Sequence, residues 1–235
     1  MSARRVRDIE YQLLRSGERR TADVVIERDG NISVRVPEHL TEEQADAVVE
    51  SKRLWIYRNL AEWRDLNATK VVREWVNGEA FLYLGSSYRL LFVQEQDEPL
   101  KLKDGRFCLL RQIVETGGES AAKREFERFY IGKGLERLRK RVEYFAPRVG
   151  VALTFIDVKD IGYRWATCAV DGRLSFHWKC MMATPKVIDY IVVHELCHFH
   201  YRDHTEAFWN EVDKVMPDYR ERNEWLRRNG AGMDL

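Results

Sequence analysis

Tyr190–His204 reads YIVVHELCHFHYRDH, and its spacing decides how the rest of the chain is read. His194 and His198 are four apart, Glu195 follows the first directly, and His204 stands six residues beyond the second. Upstream, Ile191-Val192-Val193 is an unbroken apolar run, with no glycine or proline until well past His204. That predicts a buried helix through His198. At about 100° per residue, positions 194 and 198 differ by about 40°, so both imidazoles leave one face. Two neutral imidazoles at this spacing make half of a tetrahedral zinc site, and Glu195 can reach a water held beside them. His200 points about 240° from His194 on the same helix and is expected to face away. His204 can join only if the chain turns back, which the polar pair Arg202-Asp203 allows. Asp203 is then expected to N-cap a second helix, with Glu206 as its capping-box partner.

Histidines four apart with a glutamate between them also occur as ordinary core or surface residues. Here the flanks favour a metal. Leu196, Cys197 and Phe199 are uncharged, and a third histidine stands where a third ligand is needed. Three histidines and a glutamate in one buried corner are costly unless something satisfies them.

Residues Tyr163–Trp209 resemble the YgjP-like metallopeptidase family, related to the SprT-like zinc proteases. The pattern of that family runs Arg-Trp-Gly-Ser-Cys, a short strand, HELxH, then His and Phe-Trp. This chain has Arg164-Trp165-Ala166-Thr167-Cys168, Leu174-Ser175-Phe176, His194-Glu195-Leu196-Cys197-His198, His204 and Phe208-Trp209. The likeness extends more weakly through Arg19-Arg20, Ile32–Val36, Trp55-Ile56 and Tyr83-Leu84-Gly85. It implies a zincin-like catalytic domain, one zinc ion per chain held by His194, His198 and His204, and Glu195 as general base. Two departures, Ala166-Thr167 for Gly-Ser and His177 where the family has asparagine, touch the substrate site and leave the ligand set whole.

Apolar residues make up 45% of the 235, and although a third are charged the formal net charge is only +1. The balance argues neither for nucleic acid nor for a membrane. No run approaches the roughly 18 apolar residues of a membrane span. The opening MSARRVRDIEYQ has no apolar core of a secretory signal, and Cys108, Cys168, Cys180 and Cys197 form no CxxC pair. Both point to a reduced, cytoplasmic protein. Cys168 is the one cysteine placed where a thiolate would compete with water for a metal.

The fold class expected is α+β: a β-rich N-terminal part with one helix over residues 1–115, then the catalytic domain over 116–235 with a small sheet and the HExxH helix. Residues 9–36 read as a hairpin, with strands at Tyr11–Leu14, Val24–Ile26 and Ile32–Val36 and a turn at Asp29-Gly30. Thr41 and Gln44 form a capping box for a helix over 42–64. Residues 71–114 read as two further hairpins. The polar, glycine-bearing stretch Glu115–Ser120 is taken as the linker. A helix follows from 120 to 146, whose basic face carries Lys133, Arg137, Arg139, Lys140, Arg141 and Arg148. A strand at 151–157, a hairpin over 162–178, helices over 207–216 and 219–228 and a loose tail from Gly230 complete the reading.

The chemistry expected is peptide-bond hydrolysis on a protein or peptide substrate. Zinc lowers the pKa of water towards about 7, and Glu195 takes the proton and passes it to the leaving amine. Tyr163, Arg164, His177 and Tyr201 are candidate donors to the oxyanion. Tyr201 occupies the position where the longer metzincin motif has glycine, so the chain is no metzincin. Two rivals stand beside this. The resemblance also implies a nucleoside triphosphate pyrophosphatase, acting on UTP in particular, with Arg164 on phosphate. The basic helix face allows a non-catalytic, zinc-stabilised module that binds nucleic acid; an intact Glu195 speaks against it, since a structural site closes with four ligands and needs no base.

Overall fold

The computed structural model describes residues 2–17, 19–26, 30–67, 73–152, 155–162, 164–202 and 204–235. The chain divides into two compact units, Met1–Lys70 and Val71–Leu235.

The first unit is a four-stranded sheet with two helices. Strands β1 (Ser2–Val6) and β2 (Ile9–Ser16) form a tight antiparallel hairpin, with Arg7 at φ 56° in its turn. Strands β3 (Asp23–Ile26) and β4 (Ile32–Pro37) form a second, and β2 pairs with β4 in parallel, giving the order β1-β2-β4-β3. The hairpin expected over 9–36 is thus β3–β4 alone, with β2 added to its far side. Asp29 lies outside the described residues; Gly30 beside it takes φ 88°. The capping box at Thr41 and Gln44 is present and opens α1 (Glu42–Ser51). The single helix expected over 42–64 is two, because Lys52 leaves helical geometry before α2 (Arg53–Asn67) begins. Val34, Val36, Ala45, Val49 and Ile56 make the core of this unit.

The second unit starts with the same pattern. Strands β5 (Ala80–Tyr83), β6 (Ser86–Val93), β7 (Leu100–Lys103) and β8 (Arg106–Leu110) lie in the order β5-β6-β8-β7, with β6 and β8 parallel. Helix α3 (Arg111–Val149) follows, broken at Gly118, whose φ of 61° and ψ of −163° are not helical. The expected linker at Glu115–Ser120 is therefore a kink in a helix, and the division of the chain falls after Lys70 rather than at 115/116. Packing shows why. Phe81 and Phe107 of the sheet lie 4.3 and 4.9 Å from Phe126 of α3, ring centre to ring centre, so sheet and helix share one core.

Strands β9 (Phe155–Lys159), β10 (Ala166–Cys168) and β11 (Arg173–His177) form a three-stranded sheet in the order β10-β11-β9. A 3-10 turn over Trp178–Met182 leads to α4 (Pro185–Cys197), then α5 (Glu206–Val215) and α6 (Tyr219–Asn229). The tail is not loose: Met233 is buried and Asp234 pairs with Lys179 at 2.7 Å, so the last residues pack into the unit.

Helix α4 is held on several sides. Nine of its thirteen residues are buried, which at about 1.5–3 kcal/mol per large apolar side chain anchors it in the core. Arg141 of α3 grips Asp189 through Nε and Nη2, at 2.6 and 2.9 Å, a forked geometry that fixes orientation as well as distance. The β5–β6 turn docks on the approach to α4, with the Leu84 and Gly85 N–H groups donating to the Met181 and Met182 carbonyls. Gly85 has φ 79°, and a Cβ there would sit 2.6 Å from Thr184 Cγ2. Gly85→Ala is therefore expected to cost about 1–3 kcal/mol through backbone strain and overpacking. Thermal unfolding should show a fall in Tm of several degrees, and an unchanged Tm would remove the turn from the support of α4.

Candidate metal centre

Thr184 caps α4, its Oγ1 accepting from the Val187 N–H, and Pro185 takes the first helical position, where its missing N–H does no harm. The helix ends at Cys197. His198 is its C-cap, and the N–H groups of His200 and Tyr201 both donate to the Cys197 carbonyl in a tight turn. The chain then returns, as His204 requires. Asp203 lies outside the described residues; the cap of α5 is Thr205, whose hydroxyl accepts from the Phe208 N–H, so the expected Asp203–Glu206 box is not the one that opens this helix.

The return brings the three histidines together. One ligand atom from each of His194, His198 and His204 lies within 4.8 Å of the others, and the Nε2 atoms of His194 and His204 are 2.9 Å apart. His198 Nδ1 lies 2.9 Å from the Tyr201 carbonyl, which can only accept, so Nδ1 carries the proton and Nε2 is left as the electron-pair donor. Phe208 stands 4.9 Å from His194 and 4.6 Å from His198, ring centre to ring centre. Trp209 stacks with both His204 and Tyr219. His200 faces away as expected, bonding the Val149 carbonyl at 2.8 Å, but from the turn that follows α4 rather than from a helical position. Three imidazoles converging in one place are a donor set suited to zinc.

Burial sets the protonation of the cluster. It pushes His194 down to about 3, with the other two histidines adding to the effect, so this imidazole is neutral at physiological pH. It pushes the Glu195 carboxyl up to about 8, against the pull of the Arg164 charge. Without metal, the folded chain therefore holds a proton on Glu195 that the unfolded chain releases near pH 4.5. The stability this contributes is present at low pH and is lost as pH rises through about 8. His194 has the opposite sign, but its effect ends near pH 6.5. Between pH 6.5 and 8 the metal-free protein is expected to lose up to about 1.4 kcal/mol per pH unit. Denaturant unfolding of wild type and Glu195→Gln across this window checks it: the variant should lack this loss, and parallel curves would refute it.

A cavity of about 300 Å³ opens over the cluster. The histidines and Glu195 line it from one side, β10 from another, and Arg164 and Arg202 complete the described lining. Strand β10 is one of the two outer strands of its sheet. Thr167 sits opposite Ser175 in register, and Trp165 and Ala169 bond His177 and Arg173 on either side. That alternation turns the N–H and C=O groups of Ala166 and Cys168 away from β11. Arg202 reaches across to this edge, its Nη1 donating to the Cys168 carbonyl at 3.5 Å and the Ala169 carbonyl at 3.1 Å and its Nη2 to the Val170 carbonyl at 3.3 Å. Cys168 is half-buried, and burial raises its thiol pKa.

Of the oxyanion candidates, Arg164 alone is among the described lining residues. His177 is buried, its Nδ1 accepting from the Lys179 N–H at 3.1 Å and its Nε2 lying 3.5 Å from Asp160, so it caps the turn after β11. Tyr201 contributes its carbonyl, while its phenol is exposed. Tyr163 lies outside the described residues. Sequence reasoning gave Arg202 no role beyond permitting a turn, because its partners, 32 to 34 residues upstream, carry no local signal.

A mixed α/β unit that carries such a histidine cluster at the end of a buried helix has the arrangement of a metal-dependent peptidase. The chain belongs to the YgjP-like family, whose metallopeptidase domain matches residues 20–229. It is also similar to a solved structure, the metallopeptidase zymogen of Pyrococcus abyssi abylysin, at 19% identity over 41% of this chain and 99% of that one, with a TM-score of 0.37. None of the curated proteins matches the chain. Among the described residues, no helix is long and apolar enough to cross a membrane.

Proposed function

We propose that this metallopeptidase is a zinc enzyme that hydrolyses peptide bonds, with His194, His198 and His204 as ligands and Glu195 as general base. The observation that carries the reading is the convergence of three imidazoles beside a buried carboxylate, in a cavity walled by the outer strand β10. Zinc, when bound, supplies a Lewis acid for the scissile carbonyl and a water that ionises near neutral pH. The Tyr201 carbonyl holds the His198 ring so that Nε2 is presented. The Glu195 carboxylate takes the proton from water and returns it to the leaving amine. An extended substrate pairs its backbone with the outward N–H and C=O groups of Ala166 and the N–H of Cys168, which lays the scissile bond across the cluster. Arg164, at the rim, is placed to donate to the oxyanion.

The basic run on α3 offers little to nucleic acid. Lys140 pairs with Glu136, Arg141 with Asp189, and Arg148 donates to the Tyr144 carbonyl, so half of it is engaged within the unit. Cleavage of an unfolded protein such as casein, at neutral pH with zinc supplied, tests the proposal. Fragments from wild type are expected, and an intact substrate after prolonged incubation overturns it.

A further inference from the structure

We propose that Arg202 is a positioning residue: it locks β10, the strand that aligns a peptide, to the turn that carries the clustered histidines. The inference rests on the peptidase reading and adds to it a residue that sets the geometry of attack. The first support lies in the turn between α4 and α5, where three consecutive residues each hold a different element. His200 Nε2 bonds the Val149 carbonyl at the end of α3, the Tyr201 carbonyl accepts from His198 Nδ1, and Arg202 crosses to β10. Arg202 stands four residues after His198 and two before His204. Its Nη1 donates to the Cys168 and Ala169 carbonyls and its Nη2 to the Val170 carbonyl, at 3.5, 3.1 and 3.3 Å. Nη1 also lies 3.6 Å from the Cys168 sulfur. A planar guanidinium bonded through both terminal nitrogens fixes direction as well as distance.

The second support is the strand that needs such a lock. Strand β10 has three residues and lies outermost, so β11 holds it along one side. Few hydrogen bonds resist the opening of so short a strand. The Arg202 bonds reach it from the turn instead, independently of that pairing. Strand and cluster face one cavity, which Ala166, Thr167 and Cys168 line together with His198, Arg202 and His204. A peptide paired with β10 advances about 3.3 Å per residue, so a shift of the strand by a third of a residue moves the scissile carbonyl by about 1 Å. A misplacement of that size can cost about 10²-fold in rate. Arg202 does not touch the reacting atoms in this account; it acts through β10. Its effect is therefore confined to substrates long enough to pair with the strand, because a very short one meets the cluster without using it.

Two end-blocked peptides that share the cleaved bond test this, one of about eight residues, which covers β10 on both sides, and one of about two. With zinc supplied, wild type is expected to cleave the long peptide with kcat/KM about 10²-fold above the short one, and in Arg202→Ala this ratio should fall at least about tenfold. Being a ratio, it does not depend on the fraction of enzyme that is folded or metal-loaded. Arg202→Lys keeps the charge and loses the fork, and should recover little of the ratio. His200→Ala frees the same turn from α3 but not from β10, so it should lower Tm and leave the ratio at its wild-type value. An equal fall in His200→Ala would make the effect a general loosening and overturn the role of Arg202. A wild-type ratio near one, or an unchanged ratio in Arg202→Ala, overturns the inference and leaves the peptidase reading standing. Cleavage of neither peptide by wild type overturns the peptidase reading. Amide hydrogen exchange then tests the lock by itself: residues 166–170 and 199–202 should exchange faster in Arg202→Ala, both together, and unchanged exchange overturns it.

Discussion

Glu195→Gln is expected to lower kcat/KM for peptide hydrolysis by about 10²–10⁴-fold while zinc stays bound. A positioned general base contributes a factor of that order, about 3–5 kcal/mol of barrier. The substitution keeps the shape of the side chain and removes its ability to take a proton. Glu195 is buried at the cavity wall and is not one of the three clustered donors, so metal content should be unchanged. Stability should not fall, because a neutral amide replaces a carboxyl that burial already penalises as an anion. Peptide cleavage, metal analysis and Tm, measured on one preparation, separate these effects. Wild-type turnover in the variant would remove Glu195 from the mechanism; loss of zinc along with activity would make it part of the binding site instead.

Removal of the metal is the second large effect. Treatment with a chelator should abolish cleavage, and zinc should restore it, whereas magnesium should not, because imidazole donors suit zinc and magnesium prefers oxygen. The same experiment has a readout independent of activity. A ligand that binds only the folded state stabilises it by about 4 kcal/mol at a thousandfold excess over Kd. For a unit of this size each kcal/mol moves Tm by about 2–4 °C, so zinc should raise Tm by roughly 10 °C. In His198→Ala both the thermal shift and the activity should be lost. A zinc-induced shift that survives this substitution would place the metal elsewhere in the chain.

The site was legible where its rules are local. The pairing of His194 and His198 on one face follows from helix geometry alone; His200 faces away as expected, though it does so from the turn after the helix rather than from the helix itself. Pro185 opens α4 and Pro217 follows the end of α5, both local signals, and the Thr41–Gln44 box needed only four residues to be recognised. What escaped was set by partners distant in sequence. Nothing within Ser2–Val6 marks it as a strand; it becomes one by pairing with β2. The parallel pairings β2–β4 and β6–β8 depend on crossovers that alternation of apolar residues does not encode. The break at Lys52 has neither glycine nor proline to announce it. Gly117-Gly118 misled in a different way, since a glycine pair that kinks a helix reads locally like one that ends a domain. Thr205 was passed over for Asp203 because both precede the same helix with the right chemistry, and sequence alone does not rank two caps two residues apart.

The pairing pattern also bears on the order in which the enzyme matures as it is synthesised. In each of the three sheets the parallel partners, such as Gln12 with Ser33, Arg89 with Arg106 and Phe155 with Arg173, come from stretches roughly twenty residues apart. Such short-range closure favours folding of one piece after another as the chain emerges. All three clustered histidines and Glu195 follow β11, the last of the described strands. A nascent chain thus carries its described sheets before it carries any of the groups proposed to cut peptides, and the candidate site can assemble only on sheets that have already formed.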